Sequence, residues 1–472
     1  CMTKTMKRIV AAVGLAVVFA LVCGLALACM GVQGVAEARE SYFSSEGGEW
    51  EDGVFTEYST GLYWYASGNP IPRRTNPVDK TKPTLIFAHG WKQNEGYQQR
   101  DLLSLWGGTN SEFHSKHFDD FEFETEFYQT LIDLGYNVGQ FYWSQLSDDY
   151  VTCDEKIWSS NGQFGMRYVL NDGAGHRVDG DPSLNPTKSV AMIFGDAIRE
   201  ALGDDYAKDL HLVGHSMGGQ LVLATGEYIT LQHDAGNFGE HLVPTQVTLL
   251  DPYMTFNILS EGATVDHLGG KSFSEEKPIV SLCADAMETL ARHDIAIDVY
   301  ATVFYRMYPM IMDEDEAAAM TDRLARYTVW TYLQGFSKFD NPAAKHCMSI
   351  DYYFSTMYEE TIAKDNYGVE VPSAKASAEY ILSLRGKAFT QSLAEDKQGE
   401  NPFYMHNSAY TRTNAEYEPV SDEYTAFVPF AKCDDNKNLP LVIGLSVGLG
   451  GAAVIAAVVV VLVVLKKKKV QQ

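Results

Sequence analysis

Leu210-His211-Leu212-Val213-Gly214-His215-Ser216-Met217-Gly218-Gly219 is the stretch whose reading decides the fold. Leu210 to Val213 is a short apolar run that reads as a buried strand. Met217 to about Leu231 reads as the helix behind it. Ser216 stands on the turn between them, with Gly214 and Gly218 two positions away on either side. A serine on so sharp a turn has its hydroxyl thrust clear of the sheet. A side chain at either glycine would collide with the neighbouring strand or helix. The helix offers its N-terminus, and the backbone N–H of Met217, to a developing oxyanion. The pattern acquires chemical meaning only if an acid and a histidine follow in order.

Outward from this stretch the chain alternates strands and helices. Gly61 to Tyr65 reads as part of an antiparallel edge, and Thr84 to Ala88 as a buried parallel strand ending at His89-Gly90-Trp91. Glu122 to Leu134 has helical spacing, and Asn137 to Trp143 is the next strand. A polar, glycine-rich loop covers roughly 159–185. Ser189 to Leu202 puts Val190, Ile193, Phe194, Ala197 and Ile198 on one helical face. Gln246 to Leu250 is a strand ending at Asp251-Pro252, and Ile295 to Tyr300 resembles a later one. Such alternation predicts an α/β fold, a mostly parallel sheet with helices on both faces.

Three motifs thus fall at the carboxyl ends of predicted strands, where open α/β sheets place their ligands. They are His89-Gly90-Trp91, Gly214 to Gly218, and Leu250-Asp251-Pro252. A fourth, His346-Cys347-Met348-Ser349-Ile350-Asp351-Tyr352-Tyr353-Phe354-Ser355, opens a later helix. In this order the four resemble the α/β-hydrolase fold of the lipase superfamily, nearest the pancreatic-lipase-like group. The resemblance covers roughly residues 80–360. It implies Ser216 as nucleophile, His346 as general base and acid, and Asp251 as the group orienting His346. It also implies backbone N–H groups of Trp91 and Met217 as the oxyanion hole, and a helical cap at about 256–340.

Asp294 and Asp298 compete for the acid's role, since many such folds place it after a later strand; the Leu-Asp-Pro context favours Asp251. His267 follows Asp251 too soon for an intervening strand and helix. His89 and His215 read as scaffold. The run Asp313 to Glu316 is better explained as a helix start than as a metal site. The chemistry calls for no cofactor and no metal. Neutral carboxylic ester hydrolysis is the expected reaction. Acyl transfer on the same triad, or a non-catalytic binding protein on the same fold, are the alternatives.

Charge and the chain ends shape the expected setting. The formal net charge is −25, although both ends are basic, so the body between them is more acidic still. That disfavours nucleic acid and anionic substrates. Residues 1–38 read as a signal peptide or uncleaved anchor. Leu441 to Leu465 is long enough to span a bilayer as a single-pass helix, and Lys466 to Lys469 should stay in the cytoplasm. The expected domains are 39–365 for the hydrolase and 366–440 for an extension and stalk, before the span and its basic tail at 466–472. The catalytic part is expected outside the cytoplasm, held to the membrane by the C-terminal helix. No N-x-S/T sequon with x other than Pro occurs in it, which favours a bacterial cell envelope. No protein partner is predicted. Among seven cysteines, Cys283 and Cys347 are expected to form a disulfide at the base of the cap, and Ala301 to Met312 an acyl-binding wall or lid.

Overall fold

The computed structural model describes residues 57–92, 126–149, 152–174, 176–272, 278–302, 320, 323–333, 342–358, 372–391 and 411–416. The chain divides into two compact units, Cys1–Phe427 and Val428–Gln472; every described residue belongs to the first. The expected signal segment, the Leu441 to Leu465 span and the Asp313 to Glu316 run lie outside the described residues. Among the described residues no helix is long and apolar enough to cross a membrane.

The strands of the main sheet are β1 (Gly61–Ala66), β2 (Asn69–Arg73), β3 (Thr84–Ala88), β4 (Asn137–Tyr142), β5 (Leu210–His215), β6 (Gln246–Leu250), β7 (Ala296–Ala301), β8 (Val329–Leu333), β9 (Lys387–Gln391) and β10 (Thr411–Glu416). Their order is β10-β9-β8-β7-β6-β5-β3-β4-β1-β2. The run from β9 to β4 is parallel throughout, and β1, β2 and β10 close the edges antiparallel. Central strands Thr84–Ala88, Leu210–His215 and Gln246–Leu250 are buried at every position, as a sheet covered on both faces requires.

The helices are α1 (Phe127–Asp133), α2 (Ser144–Ser147), α3 (Cys153–Trp158), α4 (Val190–Leu202), α5 (Met217–Asp234), α6 (Ile279–Arg292), α7 (Pro342–Ser355) and α8 (Ala378–Ser383). On one face α4 stacks Phe194 on Phe141 of β4, and α5 lies between α4 and α6. On the other face α1, α7 and α8 share one apolar cluster with Phe87, Val213, Leu250 and Tyr300. Alternation along each strand produces the division: Leu85 and Phe87 serve the second face, leaving Ile86 and Ala88 to the first. α4 ends at Gly203, whose φ of +77° few other residues would adopt.

Three expectations change. The span 256–340 is not a cap throughout: α6 packs on α5, and β7 and β8 are strands of the main sheet. The extension after residue 365 does not stand apart either, because α8, β9 and β10 complete that sheet and its covering layer. The expected Cys283–Cys347 disulfide is not formed: both cysteines are buried and unbridged. Cys283 lies on α6 and Cys347 on α7, so the sheet separates them.

The polar loop after β4 is bound to the segment after β6 by carboxylates, of which Asp154 and Glu155 are buried. Asp154 accepts from Thr255 Oγ1 at 2.6 Å and Asn257 Nδ2 at 2.7 Å. Glu155 accepts from Ser260 Oγ at 3.0 Å and Gln163 N at 3.2 Å. Asp266 accepts from Ser160 N at 3.0 Å and Ser189 N at 2.8 Å. Buried carboxylates are tolerable because these donors replace water. His267, also in this segment, meets Glu227 of α5 at 3.0 Å and so pins it to the helix.

Candidate active site

Strand register brings the motifs to one level. Gly214 of β5 pairs with Ala88 of β3 on one side and with Leu249 of β6 on the other. His89, His215 and Leu250 therefore stand side by side. The residues that follow emerge together at the carboxyl edge.

Ser216 has φ +57° and ψ −123°, a conformation non-glycine residues rarely adopt, costing of the order of 1–3 kcal/mol. Backbone bonds hold it there. Its N–H donates to Leu250 O at 3.0 Å, and its carbonyl accepts from Gly219 N and Tyr253 N, each at 3.0 Å. The glycines allow the close packing this demands. A Cβ on Gly214 would lie 2.2 Å from Gly218 O, and one on Gly218 would lie 2.2 Å from Ala88 O. Helix α5 starts at Met217, where the N–H has no acceptor within its own helix.

Gly90 faces the serine directly: a Cβ there would lie 2.8 Å from Ser216 Cβ and 3.2 Å from its Oγ. Trp91 follows and is buried, its indole N–H donating to Asp149 O at 3.1 Å. His89 is scaffold, as expected. Its Nε2 accepts from Trp143 N at 3.1 Å, leaving Nδ1 to donate to Gly90 O at 2.8 Å. Trp143 Nε1 donates to His89 O at 2.7 Å. The loop bearing Gly90 and Trp91 is thus fixed at both ends of one imidazole.

Asp251 follows β6 with φ +38° and is fully buried. Its N–H donates to Tyr300 O at 2.6 Å. Oδ1 accepts from Thr302 N at 2.7 Å, and Oδ2 meets His346 Nδ1 at 2.7 Å. An ionised carboxylate only accepts, so Nδ1 carries the proton and Nε2 keeps its lone pair. α7 supplies His346 and buries Tyr352, Tyr353 and Phe354 behind it, with Phe354 edge-on to Phe87 of β3 at 6.1 Å. The paired Asp–His edge and the buried serine turn both lie at the carboxyl edge of the sheet.

The competing acids stand elsewhere. Asp294 lies in the turn before β7, at the opposite end of the sheet. Asp298 lies within β7, where it accepts from Thr248 Oγ1 at 2.6 Å and Gln246 Nε2 at 3.2 Å. Burial pushes its carboxyl up to about 6. His211, in the same cluster, is pushed down by burial to about 3 and meets Thr248 Oγ1 at 2.8 Å. Residues 303–312 of the expected lid lie outside the described residues. Among the described residues no group of three or more His, Cys, Asp or Glu side chains could hold a metal ion.

The Thr302 N–H was not legible beforehand, because a backbone donor leaves no mark on residue type. The contact of His215 with His346 could have been suspected from its place beside Ser216. The two rings are 4.3 Å apart between centroids.

No family model and no curated protein matches the sequence. Solved structures give distant likenesses. A structure of Est1E from Butyrivibrio proteoclasticus with ferulic acid bound is 9% identical, covering 65% of this chain and 100% of that one, with a TM-score of 0.29. A putative carboxylesterase from Lactobacillus plantarum is 12% identical, covering 54% and 77%, with a TM-score of 0.25. One of two fungal esterases from Rhizomucor miehei is 11% identical, covering 70% and 90%, with a TM-score of 0.29.

Proposed function

We propose that this chain is a serine hydrolase of carboxylic esters, on an α/β-hydrolase fold of the pancreatic-lipase-like pattern. The observation that carries the reading is the buried Asp251–His346 pair, 2.7 Å apart, at the edge where Ser216 emerges on its strained turn. Ser216 Oγ attacks the ester carbonyl while His346 Nε2 takes its proton. The carbonyl oxygen, now negative, is received by the N–H groups of Met217 and Trp91. His346 returns the proton to the leaving alcohol, giving an acyl-enzyme. Water, deprotonated by the same Nε2, then releases the acid and frees the serine. Asp251 stays ionised, keeps the Nδ1 proton in place and stabilises the imidazolium.

The substrate in this reading is a neutral ester, an acylglycerol or a short-to-medium acyl ester. An acidic body repels anionic head groups, whereas a neutral ester meets no such field. The C-terminal apolar segment holds the enzyme to the membrane, with the site outside the cytoplasm of a bacterial envelope. Labelling of the full chain with a fluorophosphonate probe tests the chemistry. Modification at Ser216, lost in Ser216→Ala, is expected; an unmodified Ser216 in folded protein would remove the hydrolase reading.

A further inference from the structure

We propose that His215 is a positioning residue for His346: its neutral ring is the floor on which the His346 imidazolium rests, and its Nε2–H pins the His346 carbonyl. The proposal deepens the hydrolase reading and rests on it for the role of His346.

Three observations converge. The two imidazoles lie 4.3 Å apart between centroids with a 35° tilt, so one ring lies over the other. His215 Nε2 lies 3.3 Å from His346 O. A carbonyl can only accept, so Nε2 bears the proton and Nδ1 is bare. The same carbonyl also accepts from Ser349 Oγ at 2.9 Å. Lastly, His215 is buried at the end of β5, next in sequence to Ser216.

The electrostatics make the pair unequal. Burial holds His215 well below the ordinary histidine range, and the charges of His346, Lys92 and His89 press the same way. The bond to the His346 carbonyl works against them, with smaller effect than burial. The groups facing His215 are therefore His346 on α7 and His89 and Lys92 after β3. His346, by contrast, has Asp251 on its other edge. A cation over a neutral aromatic face is attracted to it, whereas two imidazolium rings would repel. One residue thus leads into the nucleophile and supports the base, which fixes the distance between them through a single peptide.

Histidine-selective NMR of the full chain in detergent, assigned with His346→Gln, tests this before any catalysis is measured. In the wild type His215 should stay neutral, with its proton on Nε2, while His346 titrates. A proton on His215 Nδ1, or protonation of His215 ahead of His346, would overturn the proposal even if every variant misfolds. Two variants divide the roles. His215→Phe keeps an aromatic face without the donor; His215→Gln keeps a donor without the face. The His346 pKa should fall by roughly half a unit in His215→Gln and hold within about 0.2 in His215→Phe. On a p-nitrophenyl acyl ester, kcat should fall about tenfold in both with KM held within about twofold. An unchanged His346 pKa and kcat in both variants would sink the idea. Failure of Ser216 to take the fluorophosphonate is a different result: it removes the hydrolase reading, while the titration still reports whether the two rings are coupled.

Discussion

Ser216 carries two separable burdens, a hydroxyl and a strained backbone. Ser216→Ala removes only the first, so esterase activity should fall to the small remainder left by the oxyanion donors, with melting little changed. Ser216→Gly removes both. It should be more stable than Ser216→Ala by about 1 kcal/mol in chemical denaturation, because glycine adopts φ +57° without strain. At the acid, Asp251→Asn should cost about 10⁴ in kcat, since the amide no longer dictates the histidine tautomer. Asp298→Asn should leave hydrolysis near wild type. Its effect belongs to stability. Burial raises the folded Asp298 carboxyl to about 6, against about 3.9 unfolded. Native protein therefore keeps a proton that unfolded chain gives up between these values. Stability falls as pH rises through that window and levels off above it. The asparagine variant should flatten this slope and be more stable by about 2 kcal/mol at pH 8, as chemical denaturation at pH 4, 6 and 8 would show. An unchanged slope would mean that Asp298 titrates like an exposed carboxylate.

Among the elements, the start of α5 packs tightly on the end of β3. The atom a Gly218 side chain would strike is Ala88 O, 2.2 Å away and part of a central strand. Gly218→Ala should thus either fail to fold or lose activity entirely. Gly90→Ala strikes Ser216 Cβ instead. It should fold, with kcat lowered by about 10² or more as the serine is displaced; both outcomes are read by circular dichroism alongside ester turnover. These elements were legible in sequence because their information is local. Thr84 to Ala88 is a largely apolar run of strand length, Gln246 to Leu250 is of strand length too, and Leu-Asp-Pro marks where the second one ends. Ser189 and Gly203 bracket α4 where sequence alone puts a helix's limits. What was not legible depends on pairing across long separations. Val329–Leu333 is strand-like in composition, but only its register with β7 and β9 makes it sheet and not cap. Cysteine spacing likewise carries no record of which face of a sheet each thiol occupies.

For the molecule as a whole, the proposed substrate class rests on the acidic net charge of −25. Against a panel of p-nitrophenyl acyl esters, acylglycerols, and zwitterionic and anionic phospholipids, neutral esters should be turned over fastest. A preference for anionic phospholipid, or activity on amides alone, would refute the substrate assignment.

The carboxylates that join the loop after β4 to the segment after β6 bear on how such a molecule could be rebuilt. Glu155, Asp154 and Asp266 each take at least one donor from across the gap between residues 152–163 or 189 and residues 255–266. Neither stretch can be transplanted alone, since each graft would part carboxylates from donors on the other stretch. Chimeras receiving only one loop from another hydrolase should be insoluble, and those receiving both together should be recovered folded. In this rim of the site, the heritable module is the pair of loops.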